Sequence, residues 1–265
     1  MSRDTFTRPE RFSAAEWDAR VQLAAAYRIF DHLGWSELIY NHLSLRVPGE
    51  AGHFLVNPFG LHYSEVTASN LVKVDVDGNI LGHSDWPINP AGFTFHGAIH
   101  RTLPDAHCVM HVHTTPTMAV CCLEEGLSFT NFYAAQLWGK VAYHDFEGIT
   151  VHAEEGARIL ASSQGKPVLL LRNHGPVVIG QTLAQAFAYM WVVQRACEVQ
   201  MATQGKGALR PIPVPVLEAC VRLLPGVLGN DDDPEGDPLT ATLVTDVASG
   251  SLVMAPDGTE IYTPD

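Results

Sequence analysis

The run Cys108-Val109-Met110-His111-Val112-His113 constrains the fold more than any other stretch of the chain. It lies between Pro104, which ends a helical pattern, and Thr115-Pro116, which opens the next one. Only a short strand fits between them. In a strand, residues i and i+2 share a face. His111 and His113 are therefore predicted to point into one space, while Met110 and Val112 pack into the core. The polar Thr114 and Thr115 put the histidine pair at the strand's end. A second compact apolar run, Pro167 to Leu171, leads into Asn173-His174-Gly175, where the glycine permits a sharp turn.

The rest of the chain alternates strand and helix signals. Ser13 and Glu16 read as a capping box opening a helix through Trp17, Val21, Leu23, Ala24, Ile29 and Phe30, with Gly34 as its stop. Short strands are expected at Leu43–Val47, Phe54–Val56 and Leu71–Val76. Asp77-Gly78 then turns the chain into Ile80-Leu81. Asn89-Pro90 is a helix start, and Phe93, Phe95, His96 and Ile99 follow it. Thr182 caps a long helix, and Gly205 to Pro215 reads as a linker. Thr242–Val247 and Ser251–Met254 are strand-like. This mixture predicts an α/β or α+β domain, with a loose N-terminus (1–12), a body (13–222) and an acidic extension (223–265).

Charge bounds the partners. The chain carries 29 acidic and 16 basic residues, a net −13. Nine of the acids follow Leu223, where there is no Lys or Arg, so the body is nearly balanced. Acidity argues against nucleic acid and against an anionic membrane as partners. No apolar run approaches the ~18 residues of a membrane helix, and no signal-like core opens the chain. Five cysteines without a C-x-x-C pattern point to free thiols and a cytoplasmic setting.

There are 13 histidines, nearly as many as all Lys and Arg together. Three of them, His111, His113 and His174, stand at strand ends. Three neutral imidazoles facing an open position hold a catalytic zinc, or iron or manganese. H-x-H alone equally fits two hydrogen-bonded surface histidines, and spacing does not bring His174 to the other two. His32, His53, His83, His100, His107 and His152 show no pattern and read as solvated or core residues.

These residues resemble the class II aldolase/adducin-head family. The likeness runs over about residues 15–205 through several blocks in one order: Gly34 to His42, Asn57 to Ser69, Ile88 to Phe93, His111-Val112-His113, Val141 to Asp145, and Leu171 to Gly175. The adducin-like branch fits better than the sugar-phosphate aldolases. The resemblance implies a three-layer α/β/α fold around a mostly antiparallel sheet, assembly as a homotetramer, and active sites near subunit interfaces. It also implies that His111, His113 and His174 match the family's metal-binding histidines.

The departures from the family shape the functional expectation. Enzymes of the family carry Ser-Ser-Glu before a histidine that matches His96, and the Glu is their acid/base. Here that stretch reads Pro90-Ala91-Gly92, and glycine moves no proton. The phosphate loops of the sugar-phosphate aldolases read Ile39-Tyr40-Asn41-His42 and Pro58-Phe59-Gly60, whose bulk fits phosphate poorly. The expected function is a divalent-metal carbon–carbon lyase, retro-aldol or decarboxylating, on a small non-phosphorylated carbonyl or carboxylate substrate. Zinc is the expected metal. Tyr133, His62 and His144 are the candidate proton donors. Asn41, Gly60, Gly92 and Arg172 are the candidate substrate-binding residues. Trp86, Phe59, Phe132, Tyr133 and Trp138 suggest an aromatic-lined pocket. The alternatives are a non-haem iron oxygenase on the same scaffold and a non-catalytic adducin-like oligomerisation module.

Overall fold

A computed structural model describes residues 8–149, 153–228, 251–254 and 260–263. Contacts divide the chain into two units, Met1–Val221 and Arg222–Asp265. The first is built on seven strands: β1 (His42–Arg46), β2 (His53–Val56), β3 (Val72–Asp75), β4 (Cys108–His111), β5 (Val141–His144), β6 (Val168–Leu171) and β7 (Gly175–Gly180). They form one sheet in the order β3-β2-β1-β4-β7-β6-β5. Every neighbouring pair is antiparallel except β5 with β6. β1, β2, β3 and β6 form within a residue of the expected bounds, whereas β4 stops at His111 and leaves Val112 and His113 beyond the strand, where the His113 N–H turns to Asn41 Oδ1. Ile80 makes only a single bridge to Val74, because Asp75 Oδ1 takes the N–H groups of Asp77 and Asn79 and closes the turn early.

Among the described residues there are seven α-helices: α1 (Ala14–His32), α2 (Pro90–Thr102), α3 (Thr115–Cys121), α4 (Phe132–Ala135), α5 (Ala153–Ser163), α6 (Leu183–Thr203) and α7 (Val214–Leu228). Alternation along β4 divides α1, α2, α5 and α6 between two faces. Cys108 and Met110 enter one core with Leu23 and Phe30 of α1 and Met190 and Val193 of α6. Val109 enters the opposite core with Phe95 and Ile99 of α2 and Ile159 of α5. The result is a three-layer α/β/α body with a largely antiparallel sheet.

Sequence-local chemistry starts the helices. Ser13 Oγ accepts from the Glu16 N–H, Asn89 Oδ1 from Ala91 N–H, and Thr182 Oγ1 from Gln185 N–H. The capping box at Ser13 is only half formed. The buried Glu16 carboxylate turns to Arg20 at 2.8 Å and Lys73 at 2.9 Å, since a buried charge needs a partner.

The second unit contains an antiparallel pair, β8 (Ser251–Met254) with β9 (Glu260–Thr263). The strand expected at Thr242–Val247 lies outside the described residues, as does His152. No helix among the described residues is long and apolar enough to cross a membrane.

Candidate metal centre

The sheet brings the three strand-end histidines together. β4 and β7 pair His111 with Val177, and the β6–β7 turn carries His174. Asn173 adopts the left-handed conformation that turns the chain (φ 57°). Gly175 has another role from the one expected. A Cβ on it would collide with the Val112 carbonyl, so the glycine lets the β6–β7 turn close onto the end of β4. The Nε2 atoms of His111 and His113 lie 3.0 Å apart, and those of His111 and His174 lie 3.3 Å apart. Nitrogens around a tetrahedral zinc with bonds of 2.0–2.1 Å stand about 3.3 Å apart.

Hydrogen bonding assigns the tautomers. His111 Nδ1–H donates to the Pro176 carbonyl at 2.9 Å, and His113 Nδ1–H donates to Asn41 Oδ1 at 2.7 Å. Both acceptors lack a hydrogen, so both Nε2 atoms carry bare lone pairs in the neutral rings. Two lone pairs at 3.0 Å repel unless a cation lies between them. The donor set therefore fits a metal: three imidazole nitrogens converge, with two rings held from behind. Burial holds all three imidazoles below the ordinary histidine value, His113 at about 4, so they stay in the neutral, ligating form.

Of the other expected substrate-binding and proton-donor residues, Asn41 is the one that hydrogen-bonds a triad histidine among the described residues. It is buried, donates to the Trp35 carbonyl, and accepts from both the backbone and the ring of His113. His62 caps a 3-10 turn at Tyr63–Glu65, with its Nδ1 beside Ser64. His144 hydrogen-bonds Ser162 Oγ at 2.9 Å and faces Glu147. Arg172 donates to the Leu123 carbonyl and lies 4.2 Å over the Tyr143 ring. Tyr133 packs on the main core, and Gly60 sits in an exposed turn at φ 101°. Among the described residues, none of these five hydrogen-bonds or stacks on the triad.

The aromatic neighbours also differ from those expected. Phe132 is 73% exposed, Trp138 packs on Phe129, and Trp86 lines a separate cavity of about 760 Å³. The rings that flank the triad are Tyr40, edge-on to His113, and Phe146, edge-on to His174.

A second histidine group lies beside the triad. His42 of β1 pairs across the strands with His111, their ring centroids 5.0 Å apart. Its Nδ1 meets His96 Nε2 at 2.8 Å. His96 Nδ1 meets Ser44 Oγ at 2.6 Å, Ser44 Oγ meets His100 Nε2 at 2.7 Å, and His100 Nδ1 meets the Ala106 carbonyl at 2.8 Å. Burial lowers His42 and His100 to about 3 and His96 well below the ordinary value, so the chain is neutral. The signal was present in the sequence: His42 and Ser44 are two apart on a strand, and His96 and His100 are four apart on a helix. Gly92 belongs to this arrangement. A Cβ there would stand 2.5 Å from His42 Cδ2, so the imidazole occupies the space where a side chain at 92 would begin.

Known proteins share this architecture. The aldolase II superfamily protein from Pseudomonas syringae superposes with a TM-score of 0.77 at 40% identity, over 80% of this chain and 87% of that one. L-fuculose 1-phosphate aldolase from Glaciozyma antarctica PI12 gives 0.73 at 30% identity, over 82% and 86%. Alpha-adducin of Rattus norvegicus is 48% identical over 187 residues, which are 69% of this chain and 25% of that longer protein. Residues 216–265 match the profile of a bacterial Ig domain. Residues 21–201 match the class II aldolase and adducin N-terminal domain, and the chain belongs to that family.

Proposed function

We propose that this protein is a divalent-metal-dependent carbon–carbon lyase acting on a small carbonyl or carboxylate substrate that carries no phosphate. The observation behind this reading is the pair of bare Nε2 lone pairs, 3.0 Å apart, with a third imidazole beside them. The donor set suits zinc, which when bound supplies Lewis acidity toward a carbonyl oxygen. The residues do the rest of the work. Asn41 and the Pro176 carbonyl hold two ligands in the ligating tautomer. Tyr40 and Phe146 present apolar ring surface at the mouth.

Two features argue against phosphorylated substrates. The start of α2, Pro90-Ala91-Gly92, offers no side-chain donor, and the Arg172 guanidinium is engaged at Leu123. Gly92 also removes the family's acid/base. Decarboxylation suits such a site, because it needs no base to begin.

Elemental analysis of the purified protein tests the reading. About one zinc per chain is expected in the wild type, and none in a folded His113→Ala variant. Iron with oxygen uptake would favour an oxygenase instead. The likeness to alpha-adducin favours a second reading, a non-catalytic assembly module. That module would show no stoichiometric metal.

A further inference from the structure

The histidine chain behind the triad has a determined proton order. His100 Nδ1–H must donate to the Ala106 carbonyl, so His100 Nε2 is an acceptor. The single hydroxyl hydrogen of Ser44 therefore goes to His100 Nε2. Ser44 Oγ then accepts from His96 Nδ1–H, which leaves His96 Nε2 bare. His42 Nδ1–H fills that position, and His42 Nε2 is left as an unprotonated acceptor. The reverse order places two lone pairs against each other at one link.

Burying four polar side chains is costly unless each is satisfied. Every link inside the chain is satisfied, and its free end, His42 Nε2, keeps some access to solvent and is not a sealed orphan. His42 is 8% exposed, and its Nε2 has no hydrogen-bond partner among the described residues. A gap of about 20 Å³, bordered by His42, Asn57, Asn89, Gly92 and His96, lies against it. That volume suits one hydroxyl-sized group. The Gly92 side-chain position stands 2.7 Å from Nε2, so any larger residue at 92 would close the gap.

We propose that His42 contacts the substrate: its fixed Nε2 accepts a hydrogen bond from a hydroxyl of a hydroxy-carboxylate held at the triad. His96, Ser44 and His100 are the positioning residues that keep Nε2 bare. A lone pair at this place attracts a hydroxyl and repels an unprotonated phosphate oxygen. The inference rests on the metal-site reading above, and the experiment separates the two.

The probes are glycolate and acetate, which differ by one hydroxyl, titrated calorimetrically into the metal-loaded full chain. Metal content is measured first. The glycolate-to-acetate affinity ratio is expected to fall roughly five- to tenfold from wild type to His42→Phe, the worth of one neutral hydrogen bond, with metal retained. Nitrogen-15 shifts of the unmodified protein should show His42 as one tautomer, Nδ1 protonated and Nε2 bare. Ser44→Ala should mix the tautomers and lower the ratio while leaving metal stoichiometry intact. An unchanged ratio in His42→Phe, or a protonated Nε2 in the wild type, overturns the role of His42 alone. A wild type without metal overturns the lyase reading and this inference with it. The nitrogen shifts carry the test even if His42→Phe does not fold.

Discussion

Asn41 shows how a single residue sets the chemistry of its neighbour. Its Oδ1 accepts from two groups of His113, the backbone N–H at 2.9 Å and the ring Nδ1–H at 2.7 Å. The ring is thereby fixed in position and in tautomer. Asn41→Ala removes the acceptor but leaves all three ligands in place. Metal affinity is expected to fall about 10- to 100-fold, the usual cost of losing an outer-shell partner, in a competitive chelator titration. An unchanged affinity would mean that the metal orients His113 unaided. The residue was visible in the sequence, where it stands in a block shared with the aldolases. Its role was not visible, because the bond joins residues 72 positions apart.

At the level of elements, the site depends on how closely the end of β4 meets the β6–β7 turn. The strand pattern around 108–113 and 167–171 was legible, since alternation and flanking prolines are local signals. The contact between the two segments was not local. It requires a residue without a Cβ at 175, against the Val112 carbonyl. Gly175→Ala should cost about 1–3 kcal/mol, the range for inserting a methyl into a well-packed place. Thermal unfolding in excess chelator checks this. Metal affinity should drop as well, because the shift moves His111 and His174 apart. Stability and affinity both equal to wild type would show that the turn yields freely. β5 and α5 were not predicted from periodicity. Residues 127–145 mix aromatic and polar side chains because the α4 region packs partly on the core and is partly exposed.

At the scale of the whole molecule, buried neutral histidines tie stability to pH. His100 is fully enclosed, stacked 4.3 Å from Phe54, and burial lowers it from 6.5 to about 3. Its folded value lies below its unfolded one. The stability it contributes is therefore complete above about pH 6.5 and is lost as pH falls toward about 3. Each such histidine steepens the loss by at most about 1.4 kcal/mol per pH unit. Urea unfolding of the metal-free protein between pH 7 and 4.5 should show this decline. A flat profile would mean that His100 already gains protons in the native state. The surface charge follows a different division. The excess of acid in the chain sits mostly after Leu223, so the body that carries the triad is close to neutral.

The sequence by itself determined β1 to β4 and β6, the starts of α1, α2, α3 and α6, and three histidines at strand ends, because these are written in short-range spacing, while the ordered blocks shared with the family single out those histidines as candidate ligands and Gly92 as the departure. Only the tertiary structure decided what surrounds the ligands. Sheet pairing sets His42 beside His111, and helix packing brings His96 and His100 onto Ser44. Proton order along that chain follows from one carbonyl at its far end. A hydrogen-bond chain has a direction only when its last acceptor is known, and folding alone supplies that acceptor.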